Sequence, residues 1–371
     1  MIGGLLSTRW PQRLIALPWF MILLVAAIGV FATVILYSAA GGSMQPWALN
    51  HAIRVLLFLG LALVLAQVPL RSWLALAYPF YAITLLALVA VEALGAVSGG
   101  SQRWLELGFV RLQPSEFMKI ALVLALARFY HFLPPGYAAR FAGIWPPLLL
   151  IGLPAAMVLL QPDLGTALMI TAGGLAVMFL GGLPLRWILA PGAAMLAALP
   201  FLYGMLHDYQ KNRVMIFLDP GLDPLGAGYH ITQSKIAIGS GGLFGKGFLM
   251  GSQSHLQYLP EQQTDFVFAT MAEEWGLMGG MALLVAYGLL LNWGIRVGLE
   301  SRTTFARLVA AGLSMTIFFY VAINSMMVMG LAPVVGIPFP LLSYGGSAML
   351  TVLIAFGIQM GVHRQRGSDS I

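Results

Sequence analysis

Apolar residues in this chain run in long blocks. Mostly apolar windows stand near 18–38, 52–68, 74–94, 115–132, 145–160, 165–181, 185–206, 266–293, 304–329 and 341–362. Stretches rich in Gly, Pro and polar residues divide them. A helix crossing a hydrocarbon core needs roughly 20 mostly apolar residues, so each block predicts one membrane-spanning helix. The alternation of a transmembrane barrel is missing, and a helical bundle is the other structure that satisfies every backbone group in lipid. The pattern therefore predicts an all-α polytopic membrane protein, a bundle of about ten transmembrane helices forming a single integral membrane domain over 1–371. A long loop, about 207–264, separates helices seven and eight.

Composition agrees. Of 371 residues, 60% are hydrophobic and 9% charged, where a soluble domain carries roughly 25% charged residues. Mean hydropathy is +0.88. These values exclude an ordinary globular enzyme, a disordered chain and a nucleic-acid-binding module. Without cysteine there is no disulfide, thiolate nucleophile or Cys-ligated metal.

The net charge of +6, from 19 Lys+Arg against 13 Asp+Glu, reads as topology. With the N-terminus inside, Arg9, Arg13, Arg71, Arg128, Arg140, Arg186, Arg296, Arg302, Arg307, Arg364 and Arg366 fall on the cytoplasmic side. Arg54, Arg103, Arg111, Lys119, Lys211, Arg213, Lys235 and Lys246 fall elsewhere, four of them in the long loop where the charge rule weakens. Both termini are then cytoplasmic and the long loop extracytoplasmic. Arg9 and Arg13 before the run Pro18 to Tyr37 resemble a signal peptide. That run is too long and lacks a small-residue cleavage site, so it is read as a retained first helix. The loop exceeds the length of an idle connector, and its mixture of turns and apolar residues predicts short helices lying at the interface.

Four polar clusters interrupt the apolar blocks, and all fall on the outer side of this topology. In RWLELGFVRLQPSEFMK, Pro114 and Ser115 start a helix and place Glu116 in its first turn, favoured by the helix dipole. Glu116 and Lys119, three apart, share a face. They form either a structural ion pair or a cavity wall, and both can hold. In QPDLGTAL, Gln161, Asp163 and Thr166 surround a helix break, which a Pro–Asp turn also explains. In PEQQTDFVFATMAEEWG, Thr264 and Asp265 stand where loop meets helix, and a capping Asp is the simpler alternative. Glu273 and Glu274 lie deeper. In GIPFPLLSYGGS, prolines and paired glycines break an apolar region beside Ser343, Tyr344 and Ser347, as in discontinuous segments that line substrate sites. Four clusters on one face imply an outward polar cavity. Other motifs fail: SGGLFGKG has Ser240 and Gly247 where a P-loop needs Gly and Ser/Thr, and the scattered histidines lack zinc spacing.

The helix plan, the long loop and these four motifs, spread over nearly the whole chain, resemble the SEDS family (shape, elongation, division and sporulation proteins), and its elongation branch more than its division branch. The resemblance implies a peptidoglycan glycosyltransferase that polymerises lipid II at the outer face of the cytoplasmic membrane, in cell elongation and shape maintenance. By motif, Asp265 matches the family's catalytic acidic residue, and Trp104, Glu116 and Lys119 its functionally important first cluster. Arg103, Lys119, Arg213 and Lys246 are candidates to hold phosphate, and Gln113, Ser115, Gln161, Asp163, Thr166, Thr264, Ser343, Tyr344 and Ser347 to line the substrate site. One departure is the pair Gln262–Gln263, where many members carry a histidine. The implied partners are a class B penicillin-binding transpeptidase, other elongation-complex proteins and membrane lipids, with no nucleic acid. No cofactor is required by the sequence; Mg2+ or Mn2+ would help neutralise a diphosphate, though no ligand pattern announces it. The competing readings are a precursor flippase or transporter, a division paralogue, and a non-catalytic scaffold for wall enzymes.

Overall fold

The computed structural model describes residues 15–366, except 95, 99–100, 108–109, 206–210, 212–214, 217–218, 224–225, 257 and 260. Ten long helices overlap the ten apolar windows, with ends shifted by up to about six residues: α1 Trp19–Ala39, α2 Ala48–Leu65, α3 Leu70–Leu94, α4 Pro114–Phe132, α5 Phe141–Leu160, α6 Leu164–Leu180, α7 Arg186–Met205, α10 Val267–Leu299, α11 Thr304–Val328 and α12 Gly346–Gln365. Two shorter helices, α8 Ala227–Gly241 and α9 Ser252–His255, occupy the long loop. Seven of the described helices are long and apolar enough to span a bilayer. The protein is a multi-pass membrane protein.

Between α3 and α4 lies an element that hydropathy does not reveal. Strands β1 Ala96–Ser98, β2 Ser101–Leu107 and β3 Val110–Leu112 form an antiparallel sheet in the order β1-β2-β3. Leu105 pairs with Leu112 and Glu106 with Arg111, and the latter two carry a cross-strand ion pair at 2.8 Å. The strands are too short to register as apolar blocks.

Two apolar cores form. The first joins α1, α2, α10, the half of α11 beyond Ile317, and α12. The second joins α3, α4, α5, α6, the half of α11 up to Leu313, and another face of α12 through Ala355, Ile358 and Val362. Helix α4 is buried on every face from Met118 to Ala127, the mark of a central helix. Polar groups collect where the two cores meet.

Helix α10 is broken at Gly276, whose φ of 64° and ψ of −164° lie outside helical space. Glycine is required there by that φ. A Cβ would also stand 2.3 Å from the amide nitrogen of Gly245. Loop residues beyond α8 fill the gap: Leu277 and Met278 donate backbone N–H to the carbonyls of Gly242 and Leu243, and Lys246 and Gly247 donate to those of Glu273 and Glu274. These four hydrogen bonds bridge the break and tie the long loop to both sides of it.

Candidate active site

A cleft of about 210 Å³ opens between the two cores. Sheet and α4 supply Trp104, Gln113, Glu116 and Lys119 to its wall; α6 supplies Thr166 and Met169. The turn before α10 supplies Thr264 and Asp265, and the segment leading into α12 supplies Gly336, Ile337, Pro338 and Tyr344–Ala348. Parts of all four motifs, far apart in sequence, therefore meet in one cavity.

Its deepest feature is an ion pair. The Nζ of Lys119 lies 2.5 Å from Oε1 of Glu116, with side chains 2% and 5% exposed. Tyr320 of α11 donates its hydroxyl to the other carboxylate oxygen of Glu116, and Lys119 lies over the Tyr320 ring, 4.2 Å from its centre. A buried charge pair is tolerable only with its remaining hydrogen-bonding capacity met, and Tyr320 meets part of it. Structural pair and cavity wall are one object here.

Asp265 is placed differently. Its main chain is held from two sides: Asn324 of α11 donates its amide to the Asp265 carbonyl at 2.9 Å and to the Ile337 carbonyl at 2.7 Å. Ser343 donates its hydroxyl to the carbonyl of Thr264 at 2.5 Å and accepts from the amide of Phe339 at 2.8 Å. The amide of Tyr344 bonds the carbonyl of Gln263 at 2.8 Å. The Asp265 carboxylate, by contrast, makes no hydrogen bond among the described residues. The N-cap of α10 is Phe266, without a side-chain cap, so Asp265 does not cap the helix. Gly336 is at φ 67°, and a Cβ there would be 3.5 Å from Oδ2 of Asp265; the glycine keeps that side of the carboxylate open. Burial, then the nearby Glu261 and Asp163 carboxylates, push the Asp265 carboxyl up to about 6. A carboxylate of that basicity, held rigidly by its backbone and open at its oxygens, is suited to accept a proton near neutral pH.

Of the residues expected from the sequence, Trp104, Gln113, Glu116, Lys119, Thr166, Thr264, Asp265, Tyr344 and Ser347 line the cleft. Others stand behind it. Ser115 is buried at the start of α4. Gln161 donates to the Leu88 carbonyl at 3.2 Å, and Asp163 caps α6, accepting from the Thr166 amide at 3.1 Å and its hydroxyl at 3.0 Å. Ser343 braces the loops as described. Arg103 is bound to the carbonyls of Gln161 and Pro162, 3.6 Å from Asp163. Lys246 does not reach the cleft; it is 2.6 Å from Glu273, whose carboxylate also accepts from Ser252 and from the Gln253 amide. Arg213 lies outside the described residues. Tyr320 and Asn324 are additions, and the signal was available: a polar side chain inside an apolar block marks a partner or a cavity.

Fold and cleft together define a polytopic helical membrane protein with one basic carboxylate at a polar cavity. Residues 15–368 match the model of the FtsW, RodA and SpoVE family, whose description is cell cycle protein, and the chain belongs to that family. It is similar to peptidoglycan glycosyltransferase MrdB of Escherichia coli (strain K12), 47% identical over 352 residues and 93% of each chain. It is also similar to stage V sporulation protein E of Bacillus subtilis (strain 168), 38% identical over 280 residues and 76% of each chain. Among solved structures, a chain of a peptidoglycan synthase complex that coordinates polymerization and crosslinking aligns with TM-score 0.83 at 35% identity, covering 95% of this chain and 99% of that one. The Rod shape determining protein RodA of Thermus thermophilus aligns with TM-score 0.70 at 32% identity, covering 95% and 98%.

Proposed function

We infer that the cleft is the glycosyl-transfer site of a peptidoglycan glycosyltransferase acting on lipid II in cell elongation. The activity is the one named for the relative 47% identical over 93% of the chain. The observation that carries the site assignment is Asp265, a carboxylate with no hydrogen bond among the described residues, its pKa raised to about 6, on a backbone fixed by Asn324 and Ser343.

The chemistry follows from the bond made. A β-1,4 link formed from an α-linked lipid diphosphate inverts the anomeric carbon in one displacement. The acceptor sugar's hydroxyl oxygen attacks, its proton passes to Asp265, and the carbon–oxygen bond to the diphosphate breaks. Diphosphate is a good leaving group already, so the second carboxylic acid of the glycosidases is not needed. Glu116, locked to Lys119 and Tyr320, serves as wall and positions charge. For a divalent cation, the described residues offer no cluster of three His, Asp or Glu side chains, and no step here is routed through one.

The reading places the cleft at the outer face of the cytoplasmic membrane, with both termini inside, and a class B penicillin-binding transpeptidase packed against the bundle. The synthase complex whose chain resembles this one supports such a partner. A flippase would need a cleft reachable from both faces in turn, whereas the polar motifs here gather at a single cleft. The test is direct: purified full-length chain, alone and with its transpeptidase, is given lipid II and assayed for glycan strands. No product in either state would defeat the reading.

A further inference from the structure

Most cations that the sequence offers for phosphate are already engaged by the protein. Lys119 is bound to Glu116 at 2.5 Å, Arg103 to two carbonyls and Asp163, Lys246 to Glu273 at 2.6 Å, and Arg111 to Glu106 at 2.8 Å. A diphosphate entering the cleft needs a cation that is not neutralised in this way.

Arg54 answers that need. It lies in the second turn of α2, half-buried, where an ionisable residue on a membrane helix marks a partner or a cavity. Its guanidinium rests over the Tyr344 ring, 4.6 Å from the centre. No carboxylate and no hydrogen-bond acceptor among the described residues engages it. Stacking fixes the plane of a guanidinium while spending none of its five N–H donors. Its Nη1 is 3.6 Å from where a Cβ would stand at Gly346, so the missing side chain leaves the group uncovered. Tyr344 and Gly346 both line the cleft, and Arg54 therefore borders its mouth.

We propose that Arg54 is a phosphate-binding residue of this cleft, holding the diphosphate of a polyprenyl-diphosphate substrate through its free N–H fork. The proposal rests on the glycosyl-transfer reading for the reason a diphosphate comes there. The charge it binds is present before the reaction begins, so its loss weakens binding more than turnover.

The full chain, purified in detergent, is titrated with a polyprenyl diphosphate and, separately, with phosphatidylglycerol, whose phosphate offers the same chemistry from the bulk membrane. Hydrogen bonds to charged groups contribute enough that Arg54→Gln should weaken diphosphate binding about 10–100-fold. KM for lipid II should rise in step, with kcat changed less. Arg54→Lys, keeping the charge without the fork, should recover part of the affinity. Should Arg54→Gln fail to fold, Arg54→Lys and Tyr344→Leu carry the test, each expected to lose affinity severalfold. Unchanged diphosphate affinity in the monodisperse variants overturns the proposal, as does a dependence on Arg54 confined to phosphatidylglycerol. Polymerisation by the wild-type chain in that case leaves the enzyme reading standing. Diphosphate bound through Arg54 by a chain that makes no glycan would overturn the activity and keep the site.

Discussion

The side-chain amide of Asn324 holds Asp265 by its main-chain carbonyl, at 2.9 Å, and leaves the carboxylate untouched. A base is thus located without being acidified by donors. Replacing Asn324 by Leu strands two buried carbonyls and frees the turn. Displacement of a reacting group by about 1 Å can cost on the order of 100-fold, so kcat for lipid II polymerisation should fall by tenfold or more with KM nearly unchanged. A Leu variant with wild-type kcat would show that the tether has no positional role.

Asp265→Asn separates chemistry from structure. The amide cannot take the acceptor's proton, and general base catalysis contributes typically 10²–10⁴-fold; polymerisation should vanish. Folding should not suffer, because Asp265 neither caps α10 nor makes a side-chain hydrogen bond. Glycan synthesis by monodisperse Asp265→Asn protein would refute the assignment.

The raised Asp265 pKa fixes two pH dependences. Activity needs the carboxylate, so the rate should climb about tenfold per unit of pH below about 6 and level off above it. Stability runs the other way. The folded pKa exceeds the ordinary 3.8, so the native state binds the extra proton; stability is highest below about 4, falls as pH rises to about 6, and is flat beyond. The loss is roughly 3 kcal/mol at most. Asp265→Asn should abolish this slope, as thermal unfolding in detergent between pH 4 and 7 would reveal.

Glu116 and Lys119 should behave as a unit. Removing one leaves a buried, unpaired charge, typically worth 3–5 kcal/mol of destabilisation. Glu116→Ala and Lys119→Ala should each lower thermal stability and polymerisation sharply. The double variant Glu116→Gln with Lys119→Met should regain stability without regaining activity. Two singles that polymerise normally would refute the role of the pair as cavity wall.

Topology can be checked with single cysteines at Asp223 and Arg302. An impermeant thiol reagent on intact spheroplasts should label the first and spare the second. Equal labelling would reverse or void the orientation.

The bundle was legible because span length and apolar composition are set locally. Windows near 266–293 and 341–362 became Val267–Leu299 and Gly346–Gln365; the second starts late because Pro338, Pro340 and the glycines at 345–346 keep the entry extended. The break at Gly276 was hidden, since glycines at 276, 279 and 280 in an apolar block do not say which of them leaves helical space. The site was legible as motifs but not as orientations. Ser343 belongs to a polar cluster as conspicuous as that of Asp265, and Lys246 stands in a glycine-rich stretch open to phosphate, yet tertiary packing turns one to brace a loop and the other toward Glu273. Tyr320, Asn324 and Arg54 escaped because a single polar residue within a span does not reveal which face it occupies.

The break in α10 has a consequence for depth. At about 1.5 Å per residue, its 33 residues would reach roughly 50 Å, well beyond a hydrocarbon layer of about 30 Å. The part after Gly276 is long enough to cross alone. If that part alone crosses the layer, the part before it, and Asp265 with it, stands clear of the acyl chains, at the level where a lipid carries its phosphates. A polyprenyl substrate can then keep its tail in the bilayer throughout the reaction, and the growing strand advances along the membrane plane without any sugar entering the oil.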